Sequence, residues 1–435
     1  MGKLQKSQNI REMESGRSGN TCFHKDNLSG IRPRRSKTRA FRRPWRLCYR
    51  TGLKARHTSL TQPSQARTPI PLWQSFEGQR ERLGPALEIL RKGIAERAFP
   101  GATFAVVHRG QLVGLDSEGR FTYEPKSSPV QPQTVWDLAS LTKVIATTTM
   151  AMWLYERGQL QLDVPIVDLA GEFDTADPRR RHVTTRMLLT HTSGLPGYER
   201  LFERARTSDE FIQAAFALPL VADPGTKTEY SDIGFIIIGV LLERLAGESL
   251  DRFCQREIFQ PLGMAKATFN PPRDWRTAIP PSNDDHDFRH RIIQGEVQDE
   301  NAWVMGGVAG HAGLFGNAYD VALFAHCVLQ GGAPVLRRET VDTFSRRQAG
   351  TTRALGWDTP TPPSQSGHYF SPRSIGHLGY AGTSLWIDPA RELAVVLLTN
   401  RTWPDRGSQK IKTVRPSFHD AIVRCLGIDG LGGGS

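Results

Sequence analysis

The apolar positions of the chain follow two patterns, short continuous runs near its two ends and helix-like spacing between them. In residues 83–94, leucine and isoleucine recur every three or four positions, which predicts a helix that Phe99-Pro100-Gly101 terminates. The apolar runs 102–107 and 111–114 are joined through Arg109-Gly110, and they predict a β-hairpin.

Residues 136–158 predict a strand end that turns into a long helix. Between Val144 and Leu154 almost every residue is apolar or small, which is typical of a helix buried on most sides. Gly158 then provides a stop. From residue 159 to about residue 330 the pattern is mainly helical and loop-rich. Helix-type spacing recurs in 187–189, 209–218, 233–245 and 318–329.

Strand-like runs return late in the chain. Residues 375–378, 383–387 and 393–398 are short, apolar and separated by turns, and 414–426 predicts a terminal helix. Strands at both ends with helices between them indicate an α+β fold, an antiparallel sheet flanked by the N- and C-terminal helices with an inserted helical lobe.

We therefore expect a single domain over residues 71–430. Its α/β lobe comprises about 71–135 and 350–426, and its mainly helical lobe about 136–349. The glycine-rich residues 431–435 predict a flexible tail.

The net charge of +12 is concentrated in residues 1–70, which hold 17 Lys or Arg and three acidic residues. The remainder of the chain carries about −2, so no specific nucleic-acid partner is expected for it. Residues 1–70 predict a disordered basic leader. Three interpretations stay open: an upstream extension or mis-set start, a targeting segment, and a nucleic-acid-binding arm.

The apolar runs and the cysteines indicate in which cellular compartment the protein is expected. No run of 18 apolar residues occurs, so no membrane span is predicted. The five cysteines are odd in number and widely spaced, which fits a reducing compartment better than a disulfide framework. The leader lacks the apolar segment of a secretory signal, so a cytoplasmic location is expected, with export as the alternative if the true start differs. A monomer is the expected state.

Ser140 and Lys143 are the first candidate chemical groups. Residues at i and i+3 share a helix face, so the lysine amine can reach the serine hydroxyl. The helix start adds unpaired N–H groups. Burial is expected to lower the pKa of Lys143, as a base requires. A chain of this length holds about one Ser-x-x-Lys by chance, and the alternative is a solvated helix face.

Two further motifs follow in order, Tyr230-Ser231-Asp232 and His377-Leu378-Gly379. Together with Ser140 and Lys143 they are similar to the pattern of the penicillin-recognising serine enzymes. An alternative reading of Ser231-Asp232-Ile233 as a Ser-Asp-Asn motif lacks its asparagine.

Over about residues 80–425 the chain resembles the class C β-lactamases and related serine hydrolases. Residues 188–196 and 376–389 look like hallmarks of that family. Residues 299–302 and 307–315 are similar to a subgroup with peptidoglycan amidases and carboxypeptidases. The resemblance implies the β-lactamase/transpeptidase type of α+β fold.

The resemblance also implies roles for single residues. Ser140 would be the nucleophile, and Lys143 or Tyr230 would take its proton. The backbone N–H groups of Ser140 and Tyr380 would form the oxyanion hole. No metal and no cofactor are expected.

Three departures from the family pattern affect the substrate. Asp232 stands where the family has an asparagine, and a carboxylate cannot donate a hydrogen bond to a substrate carbonyl. His377 replaces a lysine and is expected to be only partly charged near pH 7, so activity should reach its plateau at higher pH than in a two-lysine site. Leu378 replaces the threonine that holds a substrate carboxylate. Asp232, His377 and Gly379 remain candidate substrate-binding residues.

Other polar residues admit two interpretations each. Asn301 and His311 are candidates for lining the cleft, or else residues 307–315 form a turn that caps the helix near residue 318. His191 is expected to make a structural loop contact rather than a catalytic one. The cluster 284–290 with its aspartates and histidines is expected to be a solvated loop rather than a metal site.

The sequence thus predicts a metal-free serine hydrolase that cleaves an amide or ester through an acyl-enzyme, with a muropeptide or a small ester as substrate. The alternatives are a D-Ala-D-Ala carboxypeptidase or weak β-lactamase, and a non-catalytic sensor or scaffold that binds muropeptide.

Overall fold

The computed structural model describes residues 71–430. The predicted basic leader and glycine-rich tail lie outside the described residues. The strands are β1 (Trp73–Gln74), β2 (Gly101–His108), β3 (Gln111–Gly119), β4 (Trp136–Asp137), β5 (Thr268–Phe269), β6 (Asn283–Asp285), β7 (Arg291–Ile293), β8 (Leu314–Gly316), β9 (Ile375–Leu378), β10 (Ser384–Asp388) and β11 (Leu393–Thr399).

Most of the helices lie between β4 and β5 in the chain. They are α1 (Gln79–Arg82), α2 (Gly84–Ala95), α3 (Thr149–Glu156), α4 (Ile166–Leu169), α5 (Thr185–Leu189), α6 (Ser208–Ala217), α7 (Asp232–Ala246), α8 (Leu250–Cys254), α9 (Gln260–Leu262), α10 (Glu300–Val304), α11 (Ala318–Leu329), α12 (Arg338–Ser345) and α13 (Ile411–Cys425).

A six-stranded sheet joins the two ends of the described chain, in the order β1-β3-β2-β11-β10-β9. All its pairings are antiparallel except that of β1 with β3. The predicted hairpin corresponds to β2 and β3, and the three late apolar runs correspond to β9, β10 and β11. The α+β class predicted from the sequence is confirmed.

Alternating side chains of β2 pack against two separate hydrophobic clusters. Phe104 and Val106 are fully buried together with residues of α2 and α13. Ala105 and Val107 belong to the larger cluster that contains α11 and the helices of residues 139–345. Because successive strand residues point to opposite faces, helices cover the sheet on both sides.

The segment that follows β4 is not the continuous helix that the sequence predicts. A 3₁₀ turn covers Ala139–Leu141, a π-helical stretch covers Lys143–Thr148, and only then does α3 begin. The wider π-helical turn occurs where the chain docks on a neighbouring loop, because Thr147 Oγ1 donates to the carbonyl oxygen of Gly310 at 2.6 Å. A Cβ on Gly310 would lie 2.1 Å from the carbonyl oxygen of Phe235, so this approach requires glycine.

Short sheets also occur among the central helices. Strands β4, β8 and β5 form a three-stranded sheet, and β6 pairs with β7. The cluster 284–290 therefore belongs partly to a β-ribbon, not to the fully solvated loop expected from the sequence. Asp285 is buried there and forms an ion pair with Arg289 at 2.9 Å.

Candidate active site

Ser140 lies in a turn that Asp137 holds in place. The two carboxylate oxygens of Asp137 accept from the backbone N–H groups of Ala139 and Gln298, each at 2.8 Å. Ala139 has φ +48°, a conformation that costs a non-glycine residue of order 1 kcal/mol, and the first of these bonds supports it. Burial raises the pKa of Asp137 to about 6.

Lys143 is fully buried and points its amine at the serine. Its Nζ lies 3.0 Å from Ser140 Oγ and 2.9 Å from the carbonyl oxygen of His311. The third partner is the carboxylate of Asp232, at 2.6 Å. The lysine amine therefore has three oxygen partners.

Tyr230 approaches Ser140 from the other side. Its hydroxyl donates to Ser140 Oγ at 3.0 Å. The residue precedes α7, whose N-cap Ser231 accepts from the N–H of Gly234 and thereby fixes the start of the helix. Ser140, Lys143 and Tyr230, which the sequence singles out, thus meet at one point.

The charge of Lys143 differs from the expectation. Burial alone lowers the pKa of its amine, but Asp232 and Tyr230 outweigh burial and raise it above the usual value. The fall in the pKa of Lys143 expected from the sequence is therefore wrong: the pKa is raised, and Lys143 is an ammonium in the resting site.

The phenol of Tyr230 is neutral in the same resting site. Burial raises its pKa, the carboxylate of Asp232 raises it further, and the ammonium of Lys143 lowers it without cancelling the rise. A single acidic group, Asp232, therefore influences the protonation of both candidate bases.

His191 holds the chain on either side of Tyr230. Its carbonyl oxygen accepts from the N–H of Glu229 at 2.8 Å, and its Nδ1 accepts from the N–H of Ser231 at 3.0 Å. Its ring lies 4.7 Å from the ring of Tyr230. Burial keeps the pKa of His191 well below its ordinary value, so the ring is neutral. These contacts agree with the structural role predicted for His191, and they act on the tyrosine directly.

The third motif forms the end of β9 and the turn that follows. Gly379 N donates to Thr383 O at 2.8 Å, and Thr383 Oγ1 donates to the carbonyl oxygen of Leu138 at 3.0 Å. A Cβ on Gly379 would lie 1.9 Å from Thr383 Oγ1, which explains the glycine. The N–H of Tyr380 has no acceptor among the described residues, so it is free to bind a ligand.

His377 is not the partly charged group that the sequence suggests. Burial, aided by the positive charges of Lys143 and Arg353, holds the pKa of its imidazole well below the ordinary value, so the ring is neutral. Its Nδ1 lies 2.8 Å from the carbonyl oxygen of Leu378, which assigns the proton to Nδ1. The site therefore has one ammonium and no second cation at this position.

These residues border a cavity of about 560 Å³. Ser140, Tyr230, Asp232, His377, Gly379 and Tyr380 all line it.

Asn301 and His311 do not line the cavity, so the substrate contact predicted for them is corrected to a supporting role. Asn301 is fully buried and binds backbone groups of Phe202 and Glu199. His311 Nε2 pairs with Asp299 at 2.9 Å. Residues 307–315 do not cap α11 either, because its N-cap is Asn317.

Several residues of the site carry no recognisable sequence signal. Asp137, for example, positions the nucleophile turn. Asp299, which belongs to the segment 299–302 singled out in the sequence, also lines the cavity. Burial alone would raise the pKa of Asp299, but the charge and hydrogen bond of His311 lower it to about 2. Arg401 and Arg415 also line the cavity, and neither belongs to a motif. Only the pairing of distant segments reveals these positions.

No group of three or more His, Cys, Asp or Glu side chains that could hold a metal ion occurs in residues 71–430. Within the same range, no helix is long and apolar enough to cross a membrane.

Comparison with known proteins places the chain among the serine hydrolases. The profile of the β-lactamase family matches residues 87–415. N-acetylmuramyl-L-alanine amidase of Bacillus subtilis (strain 168) is 31% identical over an alignment of 355 residues, which covers 72% of this chain and 80% of the relative. A putative D-alanyl-D-alanine carboxypeptidase of Escherichia coli O157:H7 is 29% identical over an alignment of 350 residues, which covers 70% of this chain and 79% of the relative.

A solved structure supports the same assignment for the fold. EstCE1, a hydrolase with promiscuous acyltransferase activity, superposes with a TM-score of 0.64 at 20% identity, covering 80% of this chain and 99% of that protein. The profile match spans most of the described domain, and the amidase match spans most of both chains. The chain therefore belongs to the β-lactamase family of serine hydrolases.

Proposed function

We propose that the protein cleaves an amide or ester through an acyl-enzyme on Ser140. One observation carries the proposal: Ser140 Oγ lies 3.0 Å from both Lys143 Nζ and the hydroxyl of Tyr230, at the edge of a cavity that can hold a substrate. A serine hydroxyl is a weak nucleophile, and a neighbouring group that accepts its proton makes it a strong one.

Tyr230 is the proposed base. Lys143 keeps its proton because Asp232 and Tyr230 raise its pKa. In the resting site the phenol is protonated, so the group of Ser140, Lys143 and Tyr230 must first lose one proton. The resulting phenolate is stabilised by the adjacent ammonium, and it accepts the proton of Ser140.

Acylation then proceeds by addition and elimination. Ser140 Oγ bonds to the substrate carbonyl carbon while its proton passes to the phenolate, and the carbonyl electrons move to the oxygen. The N–H groups of Ser140 and Tyr380 are proposed to hold that oxyanion. Its collapse expels the amine or alcohol, which takes the proton back from Tyr230. Water repeats the sequence and releases the acid and free Ser140.

Peptidoglycan-derived amides and small esters are the proposed substrates. The similarity to an amidase and to a carboxypeptidase supports the first class. The carboxypeptidase name also favours the second candidate function, a D-Ala-D-Ala carboxypeptidase or weak β-lactamase. A neutral His377 and an apolar Leu378 weigh against efficient β-lactam hydrolysis. All the proposed catalytic groups come from one chain, which supports an active monomer.

A substrate panel tests the proposal. Muropeptides, p-nitrophenyl esters and nitrocefin are incubated with the wild type, Ser140→Ala and Tyr230→Phe. We expect turnover of at least one amide or ester, its loss in Ser140→Ala and a fall of about 10²–10⁴-fold in Tyr230→Phe. Binding of muropeptide without any turnover would establish the non-catalytic sensor instead.

A further inference from the structure

Two cations lie beside the ring of Tyr230, the proposed base. The Nζ of Lys143 lies 5.1 Å from the ring centre, and the guanidinium carbon of Arg353 lies 5.9 Å from it. Within residues 71–430, no other lysine or arginine makes a cation–π contact with this ring. Arg353 also lines the cavity. Lys143 has a role in acylation, whereas no step of the proposed reaction uses the charge of Arg353.

The other titratable groups that face Tyr230 supply no second positive charge. They are the carboxylate of Asp232 and the rings of His191 and His377, which lie 4.7 and 6.0 Å from the tyrosine ring. Burial keeps the pKa of both histidines well below the ordinary value, and the positive charge of Arg353 lowers both further. The charge of Arg353 therefore reaches both of the imidazole rings beside Tyr230.

Hydrogen bonds tie Arg353 to the segment that carries Tyr230. Thr351 Oγ1 accepts from the N–H of Arg353 at 3.2 Å and from the hydroxyl of Thr228 at 2.8 Å. Thr228 lies two residues before Tyr230 in the chain. The backbone of Arg353 also forms an isolated β-bridge with that of Asp358. The backbone at Arg353 is therefore held near Tyr230, which limits how far the guanidinium can move away from the ring.

Asp358 is the acidic partner of Arg353, and it neutralises the guanidinium only in part. Its Oδ1 lies 3.4 Å from Nη1 of Arg353, beyond the roughly 2.7–2.9 Å that is typical of a charge-assisted hydrogen bond. The Nε of Arg353 is buried and has no hydrogen-bond partner among the described residues. Burial raises the pKa of Asp358, and the charge of Arg353 opposes that rise without cancelling it. Positive charge therefore remains available to act on Tyr230.

We propose that Arg353 is the second cation of the active site and that it favours the phenolate form of Tyr230. It supplies the positive charge that the neutral His377 does not. The inference rests on the proposed function, in which the phenolate accepts the proton of Ser140. A positive charge at this distance stabilises the phenolate much more than the neutral phenol, so it lowers the pH at which the proton is lost. Arg353 acts through Tyr230 rather than on the reacting atoms, so it is a positioning residue.

The pH dependence of ester hydrolysis tests the proposal. The assay is kcat/KM for p-nitrophenyl acetate, which has no charge for Arg353 to bind, with the Ser140→Ala rate subtracted. In Arg353→Gln we expect the rising limb of the profile to move to higher pH by about 0.5–1 unit, less than for an unpaired cation because Asp358 remains. Arg353→Lys keeps the charge, so its limb should lie within about 0.3 unit of the wild-type limb. Lower activity with an unmoved limb in Arg353→Gln would show a merely structural role and overturn the proposal.

Two further variants separate the charge of Arg353 from other effects. Asp358→Asn removes the counter-charge, so its limb should move in the opposite direction, to lower pH. Arg406→Gln is the matched control, because Arg406 also lines the cavity and pairs with an acid, Glu300, but makes no cation–π contact with Tyr230. It should move the limb by less than about 0.3 unit, and a shift equal to that of Arg353→Gln would overturn the proposal. If Arg353→Gln does not fold, Asp358→Asn decides, and an unmoved limb in that variant would overturn the proposal as well.

Direct titration of the phenol distinguishes failure of this proposal from failure of the proposed function. The ultraviolet absorbance of phenolate is followed against pH in Ser140→Ala, and the same variant with Tyr230→Phe identifies the contribution of Tyr230. Adding Arg353→Gln to Ser140→Ala should move this titration to higher pH. An unmoved titration would refute the role of Arg353 even where ester hydrolysis is normal. A titration that moves in a protein that hydrolyses no ester would support the role of Arg353 and refute the acyl-enzyme.

Discussion

Replacing Asp232 with asparagine should shift the pH dependence of activity toward lower pH. Asp232 lies 2.6 Å from Lys143 Nζ and raises the pKa of both Lys143 and Tyr230. With Asp232 present, loss of the activating proton changes the net charge of Asp232, Lys143 and Tyr230 from zero to −1. In Asp232→Asn the same step takes it from +1 to neutral. Proton loss therefore becomes easier, whichever group releases the proton.

The size of the shift follows from the contact distance. Two unit charges at 2.6 Å with an effective dielectric constant of about 20 attract by about 6 kcal/mol, an upper bound on the effect. The carboxylate of Asp232 is 19% exposed, and the released proton is shared among three groups, so the realised shift is smaller. We expect about 1–2 pH units, within the range seen for adjacent charges and equal to about 1.4–2.7 kcal/mol.

The assay is kcat/KM for p-nitrophenyl acetate from about pH 6 to 11.5, with the Ser140→Ala rate subtracted. This ratio reports the ionisation of the free enzyme, and the range extends to high pH because the pKa values of Lys143 and Tyr230 are raised. Glu300→Gln is the control: it removes an acid that lines the same cavity but pairs with Arg406. It should move the rising limb by less than about 0.5 unit. A limb that stays in place in Asp232→Asn, or moves to higher pH, would refute the reasoning. A higher plateau alone would indicate a new hydrogen bond from the amide.

Three further substitutions test other contacts of the site. His191→Asn retains an acceptor for the Ser231 N–H, whereas His191→Gly does not, and both asparagine and glycine tolerate the φ of +58° at this position. We therefore expect kcat to fall about tenfold more in the glycine variant than in the asparagine variant. Equal losses of kcat would contradict the positioning role of His191. His377→Lys adds a cation near the phenol of Tyr230, so the rising limb of the variant's pH–rate profile should move to lower pH. The double variant His377→Lys, Leu378→Thr should hydrolyse nitrocefin about tenfold faster than the wild type. Unchanged nitrocefin turnover would show that these two positions do not exclude β-lactams. Gly379→Ala places a Cβ 1.9 Å from Thr383 Oγ1, so thermal unfolding should show a free energy of unfolding lower by about 1–3 kcal/mol, and kcat should fall. Stability and activity equal to those of the wild type would show that the turn accommodates the extra atom without strain.

Local patterns were sufficient for most of the sheet and for the largest helices. The apolar run 318–329 coincides with α11, and the run 375–378 coincides with β9. In each of these segments the apolar residues are the ones that the fold buries, so the spacing of apolar residues alone identifies the element. The three short motifs likewise identified Ser140, and the tyrosine and lysine that contact it.

Protonation and irregular backbone could not be predicted in the same way, because distant segments determine them. Lys143 stays charged because Asp232, 89 positions later in the chain, contacts its amine. The π-helical turn after Ser140 depends on carbonyl groups of residues 310 and 311. Arg415 has no motif at all, and it reaches the cavity only because α13 packs beside the turn of residues 379–383.

The most direct test of the central claim is the mass of the covalent intermediate. The wild type and Ser140→Ala are treated with a fluorophosphonate, or quenched in acid during ester turnover, and then digested and analysed by mass spectrometry. The proposed mechanism predicts a single adduct, located on Ser140. In Ser140→Ala, both the adduct and the hydrolysis should be absent. An adduct on another residue, or undiminished hydrolysis by Ser140→Ala, would contradict it.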